Sequence, residues 1–101
     1  MNYRLSWRSA ANRDVHEALN WYDLEAPHEV PRLLEHIEEA ERVIRKHPRL
    51  QRVLDGEHRR FSLRTFPYEI WYRVLDDRQL IQILAFKHDS QDSSPFEQCL
   101  H

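Results

Sequence analysis

The chain has 101 residues, of which 41% are hydrophobic and 32% are charged, and its formal net charge at pH 7 is −2. This length and this balance exclude an intrinsically disordered chain and predict a single domain over residues 1–101. The one cysteine, Cys99, excludes an internal disulfide and a cysteine-based zinc site, and neither a signal peptide nor a membrane-spanning apolar run is visible, so we expect a cytoplasmic protein.

The first half of the chain predicts a strand followed by two helices. Residues 3–7 alternate between apolar and polar side chains, as in a strand with one buried face. Ser9 stands where a helix N-cap is needed, and the apolar spacing after it predicts a first helix over residues 10–24. A second apolar stripe covers residues 30–44 and stops before Pro48. Two helices joined by so short a loop predict a helical hairpin.

The second half of the chain predicts three strands. Residues 60–64 and residues 68–74 alternate between apolar and polar side chains, whereas residues 80–86 are almost continuously apolar, as is typical of the centre of a sheet. Gly56, the only glycine, marks a turn within a loop over residues 48–57. The connections between the strands are too short for crossover helices, so we expect antiparallel pairing. The order β-α-α-β-β-β therefore predicts an α+β fold in which the helical hairpin packs on one face of an antiparallel sheet.

Charge is strongly segregated along the chain. Residues 14–41 contain nine acids and one base, whereas residues 42–64 contain eight bases and two acids. A surface polarised in this way selects partners by their charge. The alternative interpretation is that the two charged faces are merely solvated and partly pair with each other.

The second half of the chain also carries two motifs that recur in one known family. Residues 66–72 read FPYEIWY after an arginine-rich strand, and residues 81–88 form the next strand and end in a histidine. Together with the Trp21-Tyr22 pair of the first helix, these motifs resemble the ParE/RelE superfamily of toxins from type II toxin–antitoxin systems. The resemblance covers nearly the whole chain. Two features depart from the family pattern: Gln91 stands where an arginine often follows the histidine, and the tail after Phe96 carries no basic residues other than His101.

The resemblance implies a toxin that a cognate antitoxin protein neutralises. ParE-like members inhibit DNA gyrase by binding it, and RelE-like members cleave messenger RNA on the ribosome. We favour the ParE-like branch, because an acidic chain suits binding to ribosome-held messenger RNA poorly and because Gln91 replaces a basic residue. A third interpretation is a degenerate module that binds an antitoxin without being toxic. No histidine pair has the spacing of a metal-ligand motif, so we expect neither a metal nor a cofactor.

The candidate site residues differ between these interpretations. A ParE-like inhibitor requires no catalytic residues. A RelE-like ribonuclease requires groups that move protons and stabilise the charge of the phosphorane. For that role the resemblance points to basic residues on the sheet, namely Arg60, Arg64, Arg73, Lys87 and His88. Arg60 and Arg64 share strand parity and Arg73 lies on a neighbouring strand, so these three could converge, unless they are simply the solvated face of the sheet.

The basic stretch predicts a binding surface for an acidic antitoxin tail. The predicted partner-binding residues are Arg45, Arg49, Arg52, Arg59, Arg60 and Trp71. The parity of Trp71 places it on the open face of the sheet, beside Arg73. Open sheet edges leave room for a homodimer or for a toxin–antitoxin hetero-oligomer.

Overall fold

The computed structural model describes residues 3–89 and confirms the α+β fold, in which a strand and two helices precede the remaining strands, although one more strand follows the helices than predicted. Its elements are β1 (Arg4–Trp7), α1 (Ser9–Glu25), α2 (Val30–Lys46), β2 (Val53–Asp55), β3 (His58–Ser62), β4 (Tyr68–Leu75) and β5 (Leu80–His88). Short 3₁₀ turns at Pro27–Glu29 and Asp76–Arg78 join the helices and the last two strands. Of the helices in residues 3–89, none combines the length and the apolar character that crossing a membrane requires.

The strands form one sheet in the order β1-β5-β4-β3-β2. Strands β2 to β5 pair antiparallel, as expected for β3, β4 and β5. β1 instead pairs parallel with β5, with Arg4 opposite Leu80 and Trp7 opposite Ile83, which makes the sheet mixed. β2 was not predicted, because three residues are too few to show alternation. It forms a hairpin with β3 around Gly56, whose φ of +58° lies in the left-handed region that favours glycine.

The first helix begins differently from the prediction. Ser9 is already helical, and the N-cap position belongs to Arg8, which makes no side-chain capping bond. Arg8 is extended, and its backbone N–H donates to the Ile83 carbonyl at 2.9 Å. The backbone pairing of β1 with β5 therefore continues up to the start of α1, and this pairing sets the helix boundary in place of a serine cap.

The helices cover one face of the sheet and bury the main core against it. The apolar stripe of α2 contributes Leu33, Ile37, Ala40 and Ile44 to this core. The sheet contributes Ile70 and Tyr72 from β4, and Ile81, Ile83 and Phe86 from β5.

A register shift in the β4–β5 ladder changes the alternation of β5. Trp71 pairs with Ala85, whereas the next residue, Tyr72, pairs with Ile83. Leu84 is thus an extra residue, so Ile83 and Phe86 both face the helices although they are three positions apart. This shift brings Phe86 under the helices at the end of β5.

Asp14 fastens α1 to that end of β5. Its Oδ2 atom accepts a hydrogen bond from the Phe86 backbone N–H at 3.2 Å. Replacing Asp14 with alanine leaves this amide without its acceptor, and we expect the free energy of unfolding to fall by about 1–3 kcal/mol, measured by urea denaturation. Asp23→Ala, an exposed change in the same helix, is the control and should cost less than about 0.5 kcal/mol. Equal losses in the two variants would contradict the assignment.

Candidate functional site

The outer face of the sheet, opposite the helices, carries Arg60 and Arg73 on neighbouring strands. Arg60 pairs with Glu69, with 3.2 Å between Nε and Oε2, and its guanidinium lies over the Trp71 ring at 5.8 Å from the centroid. Arg73 Nε donates to Gln82 Oε1 at 2.9 Å. The two arginines therefore share a face, as predicted, but each is held by a neighbour within the sheet.

Arg64 does not share the strand parity of Arg60. β3 ends at Ser62, and the Leu63 backbone N–H donates to the Tyr68 carbonyl at 3.0 Å, so the chain turns directly after the strand. Arg64 lies in this turn with a φ of +68°, a left-handed conformation that is uncommon outside glycine. The predicted strand parity of Arg60 and Arg64 is therefore wrong, because Arg64 lies outside the strand.

Lys87 and His88 line an open cleft of about 530 Å³ between α1 and the ends of β4 and β5. Its lining residues are Asp14, Glu17, Ala18, Trp21, Tyr22, Pro67, Tyr68, Phe86, Lys87 and His88. Lys87 also pairs across the β4–β5 ladder with Glu69, the carboxylate that holds Arg60, so it lies where the cleft meets the outer face. Of the other residues predicted for a ribonuclease, Arg60 and Arg73 lie on the outer face, Arg64 lies in the turn after β3 and His88 lines the cleft.

Tyr68 is at the centre of the aromatic contacts in the cleft. Its ring stacks on Phe86 with centroids 4.7 Å apart, meets the edge of His88 at 5.2 Å and is tilted against Tyr22 at 6.3 Å. Trp21 packs edge-on against Tyr22 at 4.9 Å and remains 55% exposed at the mouth. Such pairs add to the energy of simple burial, so these aromatic contacts stabilise the wall of the cleft.

Burial raises the pKa of the Tyr68 phenol, with a smaller contribution from Tyr22. Burial also raises the pKa of the Tyr22 phenol, and the negative charge of Glu29 adds to the effect. Both hydroxyls therefore keep their protons at neutral pH, where they can donate hydrogen bonds but serve poorly as proton acceptors. Sequence reasoning did not select these tyrosines, although the Trp21-Tyr22 pair and the FPY motif that carried the resemblance contain them.

Two of the predicted partner-binding arginines hold the loop between α2 and β2. Arg49 pairs with the carboxylate of Asp76 and donates to the Tyr3 hydroxyl at 3.4 Å. Arg59 Nη1 donates to the Gln51 backbone carbonyl. The hydrogen bond from Tyr3 and the contact with Arg49 lower the pKa of the Asp76 carboxyl. The binding roles of Arg49 and Arg59 stay predictions, and their guanidinium groups already have partners within the chain.

The remaining predicted partner residues differ in accessibility. Arg45, in the last turn of α2, and Arg52, in the loop, are exposed. Trp71 lies on the outer face, as its parity predicts, but only 4% of it is exposed, so it is buried rather than presented to a partner. Gln91 and Cys99 lie outside the described residues. Within residues 3–89, no three His, Cys, Asp or Glu side chains come together as a metal site requires.

Comparison with known proteins identifies one family and one fold. The family model described as ParE toxin of type II toxin-antitoxin system, parDE, matches residues 5–93. No curated protein matches the chain significantly. Among solved structures, the chromosomal ParDE system from P. aeruginosa is similar at a TM-score of 0.72, with 19% identity over 85% of this chain and 95% of that chain.

Two RelE-type structures share the fold at lower similarity. The RelBE2 toxin–antitoxin complex from Mycobacterium tuberculosis has a TM-score of 0.57 and 21% identity, over 87% of this chain and 99% of that chain. The isolated RelE toxin from E. coli has a TM-score of 0.54 and 20% identity, over 97% of this chain and 95% of that chain. At these identities the likeness shows a common fold.

Proposed function

We propose that this chain, which belongs to the ParE toxin family of type II toxin–antitoxin systems, is a toxin that inhibits DNA gyrase by binding it. Residues 1–101 form a single toxin domain that works in the cytoplasm, and a cognate antitoxin neutralises it. The observation that carries this proposal is the match of the ParE family model over residues 5–93, because ParE-like members are the gyrase inhibitors of the superfamily. The solved ParDE and RelBE2 relatives are toxin–antitoxin systems, which supports an antitoxin partner.

The basic side chains of the sheet favour binding over RNA cleavage. Arg60 is held by Glu69, and Arg73 is held by Gln82, so each guanidinium group is already engaged by a neighbour on the outer face. Stabilising the charge of a phosphorane requires donors aimed at a common position. The raised pKa of Tyr68 also moves its hydroxyl away from the range of a general base at neutral pH. A gyrase inhibitor requires neither feature, since a rigid binding surface is sufficient.

The purified protein is expected to inhibit supercoiling by DNA gyrase at micromolar concentration and to leave ribosome-bound messenger RNA intact. Plasmid supercoiling, followed on agarose gels, measures the first activity, and primer extension on a translated message measures the second. The control is a Lys87→Ala/His88→Ala variant, which should inhibit gyrase as the natural sequence does. A protein that cuts the message and leaves supercoiling untouched would contradict the proposal.

The second candidate function is ribosome-dependent cleavage of messenger RNA. One observation favours it, namely that Lys87, His88 and Tyr68 line the same cleft. Under this alternative the Lys87→Ala/His88→Ala variant should lose about 10²–10⁴-fold in cleavage rate, as expected when groups that transfer protons are removed. Normal growth after induction of the gene alone would instead support the degenerate module.

A further inference from the structure

Residues 47–54, which comprise the α2–β2 loop and most of β2, form a surface that we call the loop ridge. Three of its apolar side chains are open to solvent, with exposures of 66% for Leu50, 43% for Val53 and 37% for Leu54. Single exposed apolar residues are ordinary on a protein surface, but three in one short segment favour contact with another molecule.

Hydrogen bonds and an ion pair with the sheet and its turns fix the position of the loop ridge. The buried Tyr72 hydroxyl donates to the Pro48 carbonyl at 3.2 Å, and Arg59 donates to the Gln51 carbonyl. The ion pair between Arg49 and Asp76 adds a third attachment, to the 3₁₀ turn between β4 and β5. A surface held in one conformation loses little entropy when a partner binds, so the ridge is pre-organised for contact.

The charge around the ridge is positive. Arg45 and Lys46 close α2 just before it, Arg52 lies within it, and all three are exposed. The arginines that anchor the ridge, Arg49 and Arg59, are separate from these three. An apolar patch with a cationic border favours a segment that carries both apolar side chains and carboxylates.

We propose that the loop ridge binds an acidic segment of the antitoxin. Apolar side chains of that segment cover Leu50, Val53 and Leu54, and its carboxylates face Arg45 and Arg52. This inference rests on the antitoxin partner of the proposed function and names the surface at which the partner binds. It also divides the basic stretch by role, because Arg49 and Arg59 position the ridge while Arg45 and Arg52 meet the partner.

The test uses the full chain and the protein encoded by the reading frame adjacent to its gene. Arg52→Glu should weaken the complex at least tenfold at low salt, mainly through a slower association rate, and the loss should shrink at high salt. Leu50→Ser should weaken it by a similar factor at both salt concentrations, through faster dissociation. The matched controls are Arg13→Glu and Leu24→Ser, exposed changes on α1 that should alter the affinity less than twofold.

The possible results distinguish failure of the ridge proposal from failure of the proposed toxin function. If the adjacent protein does not bind the natural chain, both the antitoxin partner and the ridge proposal fail. If it binds, and Arg52→Glu and Leu50→Ser bind as tightly as the controls, the ridge proposal fails while the toxin function stands. Ridge variants that keep antitoxin affinity but lose gyrase inhibition would place the target there and overturn the proposal.

Overlapping peptides of the adjacent protein test the chemistry of the occupant. The peptide whose binding is lost in Arg52→Glu should be net acidic and should contain at least two apolar side chains. The proposal would be overturned if the peptide that Arg52→Glu no longer binds were basic or wholly polar. It would also be overturned if duplex DNA bound the natural chain and did not bind Arg52→Glu. Thermal melts of all four variants identify any loss that comes from unfolding. If Arg52→Glu melts early, Arg45→Glu takes its place, with the same expected result.

Discussion

Replacing Tyr72 with alanine is expected to lower the free energy of unfolding by about 3–5 kcal/mol. Tyr72 is fully buried in the middle of β4 and faces the helices, so truncation leaves a cavity that the sheet and α2 can close only in part. Its hydroxyl also anchors the loop ridge through Pro48. Urea denaturation measures the loss, which is a large fraction of the roughly 5–15 kcal/mol that stabilises a typical domain.

Tyr72→Phe is the control for this result, because it keeps the ring and removes only the O–H group. Without its donor, the Pro48 carbonyl loses one hydrogen bond, and the expected cost is about 0.5–1.5 kcal/mol. If the phenylalanine and alanine variants were equally destabilised, packing of the ring would not be the cause, and the prediction would fail.

Tyr72 also makes the stability of the fold depend on pH in the alkaline range. Burial raises the pKa of Tyr72 from 10.0 to about 12. As the pH rises, the phenol of the unfolded chain therefore loses its proton before that of the folded chain. The contribution of the buried neutral phenol to the free energy of unfolding is fully present below pH 10 and is lost as the pH rises through about 12. In Tyr72→Phe the decline of stability over this range should be shallower. The remaining decline comes from Tyr22 and Tyr68, whose pKa values burial also raises.

Alternation and helical spacing predicted the elements and their buried faces, because both depend on side chains that are close in sequence. The α2 stripe and the burial of Ile70 and Tyr72 on β4 followed directly from these patterns. The parallel pairing of β1 with β5 could not be predicted in this way, because alternation identifies the buried face of a strand and not its neighbour. The extra residue Leu84 likewise depends on the ladder that β5 forms with β4.

The candidate site was less predictable because its residues are distant in sequence. Charge counting identified the basic stretch, but it could not separate Arg49 and Arg59, which bind groups of the chain itself, from Arg45 and Arg52, which are exposed. That division depends on contacts with Asp76 and Gln51, and the contact with Asp76 spans the fold. The aromatic cleft depends on long-range packing too, since it brings α1 against the ends of β4 and β5.

Trp71 provides the second large effect, and it tests whether a residue predicted to bind a partner instead supports the fold. Only 4% of Trp71 is exposed, and Arg60 lies over its ring. Trp71→Ala should therefore lower the free energy of unfolding by about 3–5 kcal/mol. Antitoxin affinity, corrected for the folded fraction, should change less than twofold, because a buried side chain offers a partner little surface.

Trp21→Ala is the matched control, because it removes the same side chain from a position that is 55% exposed at the mouth of the cleft. It should lower the free energy of unfolding by less than about 1 kcal/mol, since substitutions on the surface usually have small effects on stability. A direct partner role for Trp71 would produce the reverse pattern, with small losses of stability and a large loss of antitoxin affinity. Measuring urea denaturation and affinity on both variants therefore separates the two roles, and it also shows whether the outer face of the sheet is part of the stabilising core or a surface for recognition.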